Sequence, residues 1–367
     1  MSKTIPETMT AVLLTGHGGF DMLKYKTNVP VPTPADDGVL IQVLACSVNN
    51  TDINTRIGWY SKSVTTQSSE GAKEGIETMD DDDDGSWTGD PLLFPIIQGA
   101  DVCGRVVKVG KQIDPARIGQ RVIVATMQPH PDGNPWTCIT MGSEINGGFA
   151  QYATVKSSAA YKVDSDWTDV ELASIPCAGS TAENLLHRSA VSARDKVLIT
   201  GSSGGVGSAA IGLAKRRGAH VIAVAGKSKT RQVLSLGADR VIPRGDDLVK
   251  VLGNESVDVV CDLVAGPQWP QLLEVLKRGG RYAVSGAIAG PMVELDVRTL
   301  YLKDLTFSGC TFQYPKIFEN LVSYIENNEI RPIVAQTYPL KDIVCAQEDF
   351  LAKTYTGKIV LIPPHEL

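Results

Sequence analysis

One segment constrains this chain more than any other. The small-residue run Gly201-Ser-Ser-Gly-Gly-Val-Gly207 lies between an apolar stretch, Lys196-Val-Leu-Ile-Thr200, and a helix-forming one, Ser208-Ala-Ala-Ile-Gly-Leu-Ala-Lys-Arg-Arg217. Strand, glycine turn and helix in that order predict the start of a βαβ unit. Small residues let the backbone come close to a pyrophosphate, and the helix N-terminus offers it unpaired N–H groups and a positive dipole end. The spacing is Gly-x-x-Gly-x-x-Gly, with Ser202 in place of one glycine of the usual dinucleotide fingerprint. A structural turn without ligand is the competing reading. The strand before, the helix after and the next strand at His220–Val224 favour the dinucleotide. Ser202, Gly204, Gly205, Val206 and Gly207 are its expected contacts.

The alternation continues with strands at Arg240–Ile242, Val257–Cys261 and Gly280–Ser285, and helices at Thr230–Leu236 and Trp269–Leu276. This spacing requires a parallel sheet covered on both faces. The first half reads differently. Met9–Leu14, Gly38–Ala45, Val102–Gly110 and Gln120–Ala125 are short strands punctuated by Gly and Pro, the pattern of a partly closed β domain. The tail adds a helix at Pro315–Asn327 and a closing strand, Gly357–Ile362, of the same β type. A chain of 367 residues exceeds one ordinary core. The predicted class is α/β, with a β domain at 1–177, a Rossmann-type doubly wound domain at 178–313, and a return to the β domain at 314–367. Residues 61–91 are polar and aperiodic, a loop insertion.

The second strand of a dinucleotide fold decides between cofactors. NAD binders place an acid about 20 residues after the glycines to hold the ribose 2′-hydroxyl. Here the strand runs out as Val224-Ala-Gly-Lys-Ser-Lys-Thr-Arg231 with no acid, and Asp239 lies beyond the next helix. Lys227, Lys229 and Arg231 stand where a 2′-phosphate would sit, and charge-assisted contacts favour that group. NADPH is therefore expected, with Gly226, Lys227 and Arg231 among its contacts.

Composition removes several other classes. A net charge of -6 leaves no basic face for nucleic acid. The seven cysteines are scattered and odd in number, with no Cys-x-x-Cys pair, so a disulfide framework is not expected and a reducing cytoplasmic setting fits. No apolar run approaches the roughly 18 residues of a membrane span, and residues 1–10 lack a signal-type core. The expected partner is a small-molecule substrate, with no nucleic acid and no membrane.

These motifs, together with Asn49-Asn-Thr-Asp52, Arg56-Ile-Gly-Trp-Tyr60, Gly99-Ala-Asp-Val-Cys-Gly104, Gly147-Gly-Phe-Ala-Gln-Tyr152, Pro176-Cys-Ala-Gly-Ser-Thr-Ala182, Leu236-Gly-Ala-Asp239 and Gly357-Lys-Ile-Val360, resemble the medium-chain dehydrogenase/reductase superfamily over nearly the whole chain. The nearest branch is its zinc-free quinone-oxidoreductase and enoyl-reductase members. The resemblance implies a GroES-like, partly open β-barrel as the catalytic domain, a cleft between the domains for substrate, and a homodimer. It also places Thr181 and Cys177 beside the nicotinamide, and Gly286, Ala287 and Ile288 near it.

The resemblance maps the three catalytic-zinc ligands of metal-dependent relatives onto Asn49, Ala100 and Cys177. One thiol with an amide and a methyl does not make a three-ligand site, so no metal is expected. Recruitment of Cys46, Cys103 or Asp101 is the alternative, although both cysteines lie three positions from the ligand positions. Without a Lewis acid a simple ketone is a demanding substrate, because the developing alkoxide is strongly basic. Hydride addition to a conjugated C=C spreads the charge into an enolate or phenolate that hydrogen-bond donors stabilise. The expected activity is NADPH-dependent, metal-free reduction of an α,β-unsaturated carbonyl, enoyl thioester or quinone. An alcohol dehydrogenase or ketoreductase with a non-standard zinc site, and a non-catalytic dinucleotide-binding protein, are the two other readings.

Asn49, Asp52 and Tyr60 form the candidate catalytic set. Asn49 orients a carbonyl or the nicotinamide ribose, or else caps a helix. Asp52 is a helix first-turn acid or a partner for Arg56. The resemblance puts Tyr60 where enoyl reductases carry a proton-donating phenol. The insertion that follows carries the run Asp80–Asp84 and reads as a mobile surface loop with a possible role as lid.

Overall fold

A computed structural model describes residues 5–76, 91–134 and 136–365. The run Asp80–Asp84 lies outside these residues.

The dinucleotide half forms a six-stranded, all-parallel sheet. Its spatial order is Arg240–Pro243, His220–Ala225, Lys196–Ile199, Val257–Asp262, Leu276–Val284 and Thr306–Gly309. Successive side chains of a strand face opposite sides, and the burial follows. Val197, Ile199, Val221, Ala223, Val259 and Cys261 enter one core with Leu185, Ala210, Ile211 and Phe318. Leu198, Ile222, Val224 and Val260 enter another with Leu248, Trp269, Leu272 and Leu273. Burying each aliphatic chain contributes about 1.5–3 kcal/mol, so both faces hold the helices in place. The chain leaves Lys196–Ile199 first to one side of the sheet and later to the other. The strand ends at that reversal are where an open α/β sheet presents a crevice.

The other half is mainly antiparallel. Gly38–Ser47, buried along nearly its whole length, is the centre of a seven-stranded sheet. It pairs with Cys103–Val109 and Tyr152–Lys156 on its flanks, and with Lys358–Ile362 at its end. That last pairing ties the C-terminal segment back to the first domain, as the closing-strand pattern predicts. A separate sheet of Thr8–Leu14, Leu23–Pro30 and Ile96–Ile97 completes the open barrel. The sequence reading missed the strand Val334–Pro339 and the helix Ile343–Ala352, which packs against both C-terminal strands.

Over its described residues the insertion departs from the mobile loop expected. Its described part, residues 61–76, is a chain of turns docked on the body of the protein, with Ser61, Val64, Ser68 and Ala72 buried. Arg56 explains the docking. Its wholly buried guanidinium donates to Gly18 O (2.8 Å), Ala72 O (2.7 Å) and Gln347 Oε1 (3.1 Å) and lies over the Phe20 ring. One side chain thereby joins the first loop, the insertion and the C-terminal helix. The same contacts overturn Arg56 as a partner for Asp52: neutral carbonyl oxygens satisfy the guanidinium instead.

Candidate active site

The glycine turn meets the geometric demands of a phosphate cradle. Gly201 has φ +59°, a left-handed conformation that favours glycine. Gly204 precedes the helix Gly205–Arg216 with no side-chain cap, leaving the first-turn N–H groups free for a ligand. A Cβ on Gly207 would lie 2.3 Å from Gly201 O, so only glycine lets the helix begin this close to the strand. Ser202 is buried and donates to Ile199 O (2.7 Å), so its hydroxyl braces the turn from within. Asp262 braces it from the neighbouring strand: its carboxylate accepts from Thr200 Oγ1 (2.6 Å), Tyr282 OH (2.7 Å) and Val264 N (2.9 Å). These residues fit a dinucleotide pyrophosphate.

Of the cations after the second strand, Lys227 and Arg231 are exposed. Lys229 is half-buried and folds back to the turn, its Nζ 3.5 Å from Ser203 Oγ. Gly226, at the end of that strand, has open space beside it. Gly286 sits against Leu263 O, where a Cβ would be 2.9 Å away, and Ala287 and Ile288 continue from it. Ile288 O accepts from Ser68 N (3.3 Å), so the insertion reaches across to the dinucleotide domain. Thr181 is buried on the helix Pro176–Arg188.

Beneath the turn lies a polar cluster drawn from four distant segments. Asp101, fully buried, is its hub. Its Oδ2 accepts from Asn49 Nδ2 (2.7 Å), from Lys358 Nζ (3.1 Å) and from the Ser47 hydroxyl, and its Oδ1 accepts from Cys177 N (2.6 Å). Lys358 also donates to Val48 O (3.1 Å) and to Asn49 Oδ1. Asn49 is thus held at both ends of its amide. It also precedes the helix Asn50–Ile57, and its N–H donates to Asp52 Oδ2 (2.7 Å). Asp52 is the first-turn acid foreseen. Burial pushes its carboxyl up to about 7, the Asn49 N–H opposing and Asp101 reinforcing the shift.

Lys358 also links the two sites. Its stem runs against Gly205, where a Cβ would meet Lys358 Cδ at 2.6 Å, and Gly357 N donates to Ser203 O (3.1 Å). Sequence reasoning quoted Gly357-Lys-Ile-Val360 and Gly99-Ala-Asp-Val-Cys-Gly104 as motifs but gave Lys358 no site role and Asp101 only that of an alternative zinc ligand, not of a hydrogen-bond hub. The available signal was a charge embedded in each otherwise apolar or small run.

Tyr60 stands half-buried beside this cluster. Burial pushes its phenol up to about 12, hydrogen bonds with Thr51 and Asn54 working against the shift and the nearby Cys177 and Asp52 adding to it. The phenol therefore keeps its proton throughout the neutral range.

The positions that would hold zinc carry the wrong donors. Asn49 is committed to Asp101 and Lys358, Ala100 offers only a methyl, and burial pushes the Cys177 thiol up, with Asp101 adding to the effect. Cys46 and Cys103 turn elsewhere, towards Leu361 O (3.6 Å) and Asp169 Oδ1 (3.8 Å). Among the described residues no three His, Cys, Asp or Glu side chains gather as a metal site.

Comparison with known proteins places the chain among dehydrogenases and reductases. Residues 35–165 match the alcohol dehydrogenase GroES-like domain, and residues 205–327 match the zinc-binding dehydrogenase family. The chain is 28% identical to a quinone oxidoreductase of Lama guanicoe over 96% of its own length and 97% of that protein. It is 27% identical to an acryloyl-coenzyme A reductase of Metallosphaera sedula, over 96% and 99%. The crystal structure of a candidate alcohol dehydrogenase from Sinorhizobium meliloti 1021 superposes with a TM-score of 0.89 at 44% identity, covering 99% of this chain and 98% of that one.

Proposed function

The chain belongs to the medium-chain dehydrogenase/reductase superfamily, on its quinone-oxidoreductase-like branch, and from that premise we propose that it is an NADPH-dependent, metal-free reductase of activated C=C bonds. The carrying observation is the conversion of the zinc-ligand positions into a closed hydrogen-bonded cluster centred on Asp101, Asn49 and Lys358. That cluster offers charge balance and rigidity and no Lewis acid. Simple ketones are then poor substrates, while α,β-unsaturated carbonyls, enoyl thioesters and quinones need only donors for an enolate or phenolate oxygen.

When bound, the dinucleotide supplies a hydride to the substrate's β-carbon, or to a quinone. The glycine turn and the start of Gly205–Arg216 hold its pyrophosphate; Gly226, Lys227, Lys229 and Arg231 surround its adenosine ribose; Thr181 and Gly286–Ile288 flank its nicotinamide. Asn49 and Asp52 act in this reading as positioning residues for the cleft floor. Tyr60 delivers the proton: its O–H bond breaks as a C–H bond forms at the α-carbon, and solvent returns the proton to the phenolate. The absence of an acid after the strand His220–Ala225, and Lys229 folded back to Ser203, support NADPH over NADH.

A homodimer and a cytoplasmic setting complete the reading. The edge strand Thr306–Gly309 is largely exposed, with Val297, Tyr301, Leu302 and Phe307 uncovered around it, a surface suited to a second copy. All the cysteines are free.

The name of the Sinorhizobium relative favours a second reading, an alcohol dehydrogenase. Oxidation of NADPH and of NADH against quinones, enones, enoyl thioesters and simple ketones, with metal analysis of the same protein, separates the two. Turnover of enones or quinones with NADPH and no stoichiometric zinc is expected. Zinc-dependent ketone reduction would overturn the proposal.

A further inference from the structure

We propose that residues 64–68 of the insertion form a fixed strap over the carbonyl end of the substrate cleft, with Ser68 as a specificity-determining residue. The strap admits compact enones and quinones and excludes enoyl thioesters of long carriers. The inference rests on the reductase reading above and narrows its substrate class.

The insertion leaves the catalytic domain directly after Tyr60 and folds into turns, with Val64 N donating to Ser61 O (3.1 Å) and Glu70 N to Gln67 O (3.0 Å). Trp59 Nε1 donates to Thr66 O (2.9 Å), which draws the middle of the strap back over the paired Trp59 and Tyr60 rings. Two residues on, the buried Ser68 gives both of its donors to Ile288 O, the N–H at 3.3 Å and the hydroxyl at 3.5 Å. The chain is then fastened again to the catalytic domain. Arg56 holds Ala72 O, Phe20 N donates to Lys73 O (3.2 Å), and Gly75 packs so closely that a Cβ there would lie 2.8 Å from Gly18 Cα. The strap is thus tied to one domain on either side of Ser68 and to the other domain at Ser68 itself.

Its landing point is equally fixed. Ala289 N donates to Val264 O (2.9 Å) and Gly290 N to Ala287 O (3.0 Å), so the loop that carries Ile288 is pinned to the end of the parallel sheet. A strap held at both ends restricts the cleft permanently instead of opening and closing it. The chemistry says which substrates it restricts. In the reductase reading the β-carbon faces the nicotinamide beside Gly286–Ile288, and the α-carbon faces Tyr60. The carbonyl carbon is one bond further on, and in a thioester it carries the sulfur and the carrier arm. That arm must leave the cleft on the Tyr60 side, where the strap crosses from Tyr60 to Ile288. A methyl ketone, an aldehyde or a quinone has no such arm. Specificity built this way comes from an obstacle to the wrong substrate, with no added contact to the right one.

Steady-state rates of the intact protein with NADPH and four acceptors test this. The acceptors are methyl vinyl ketone, pentyl vinyl ketone, its isomer methyl hexenyl ketone with the chain on the β-carbon, and acryloyl-coenzyme A. In the wild type, kcat/KM for pentyl vinyl ketone and acryloyl-coenzyme A should lie at least about a hundredfold below that for methyl vinyl ketone. Ser68→Pro removes both donors to Ile288 O. Replacing residues 64–68 with glycine keeps the chain length and the Arg56 bond to Ala72. Either change should raise kcat/KM for the two acceptors with carbonyl-side arms by roughly tenfold or more, and leave methyl vinyl ketone and methyl hexenyl ketone within about twofold. A wild type that reduces acryloyl-coenzyme A as efficiently as methyl vinyl ketone overturns the strap, as do variants that raise all four acceptors equally or none. In each of those cases turnover of methyl vinyl ketone leaves the reductase reading standing. A wild type that reduces none of the four with NADPH or NADH overturns both.

Discussion

The glycine turn and the polar cluster beneath it lie within one side chain of each other, yet they are built on opposite principles. The turn is local: seven consecutive residues, four of them glycine, whose bare backbone creates the site. The cluster is assembled over distance, with Lys358 bonded to an Asn49 that stands 309 positions earlier. What the turn does depends on the backbone, and what the cluster does depends on charge and hydrogen bonding. A substitution in the turn should therefore strike binding first, and one in the cluster should strike stability first.

The largest expected effect is at Gly207. A side chain there collides with Gly201 O and with Ser202 Cα, both backbone atoms that have nowhere to go. Gly207→Val should abolish detectable NADPH binding, read by fluorescence titration. A variant that still binds with wild-type affinity would show that the turn is not the cradle, and the contrast between the two regions would collapse.

Lys358→Met probes the other principle. It leaves Asp101 charged and buried, with Asn49, Ser47 and the Cys177 N–H as its remaining partners. Removing one member of a buried pair costs about 3–5 kcal/mol, so a large fall in Tm is expected. Cofactor affinity of the folded fraction should fall less than in Gly207→Val. If binding collapses with Tm untouched, Lys358 acts on the ligand directly and the division between the regions is wrong.

The two regions were also unequally legible in the sequence. The parallel sheet, the turn and its helix followed from periodicity and small residues, because their determinants are neighbours in the chain. Asp101 and Lys358 did not, since a charge at the edge of an apolar run states nothing about what it will meet 257 positions away. Asp262 escaped for the same reason: its partners Thr200 and Tyr282 lie just past one strand and on another. The docking of residues 61–76 was hidden because Arg56 holds it through backbone carbonyls, which carry no residue signature.

Asp52 gives the cluster a pH signature that the turn lacks. Its folded pKa of about 7 lies above the ordinary carboxylate value, so the folded state binds the proton more tightly. The resulting stabilisation is complete below about pH 4 and is lost as pH rises through 7, by at most about 4 kcal/mol. Asp52→Asn cannot ionise. Melting curves of wild type and variant between pH 4.5 and 7.5 should therefore diverge, with the wild type losing ground as pH rises. Parallel curves would remove Asp52 from the set of titrating groups.

Tyr60 is the smallest of these effects and the one that joins structure to chemistry. Its phenol bonds with Thr51 and Asn54 of the preceding helix, with Cys177 and Asp52 of the cluster nearby. Tyr60→Phe keeps the ring against Trp59 and removes the hydroxyl with its bonds to Thr51 and Asn54, a loss of about 1 kcal/mol per bond, so Tm should fall less than in Lys358→Met. A positioned general acid contributes at least about a hundredfold, so kcat with an enone should fall by roughly that factor while KM stays near wild type. The pH profile separates a donor from a bystander. A phenol pushed up to about 12 is protonated at every pH the protein tolerates, so it gives the wild type no alkaline limb below about pH 10. If solvent takes over in Tyr60→Phe, kcat should instead decline steadily as hydronium becomes scarcer. Quinones, whose reduced oxygen accepts its proton readily from water, should lose less than enones. Equal losses for both substrate classes, with an unchanged pH profile, would mean that the phenol shapes the cleft and that the proton arrives by another route.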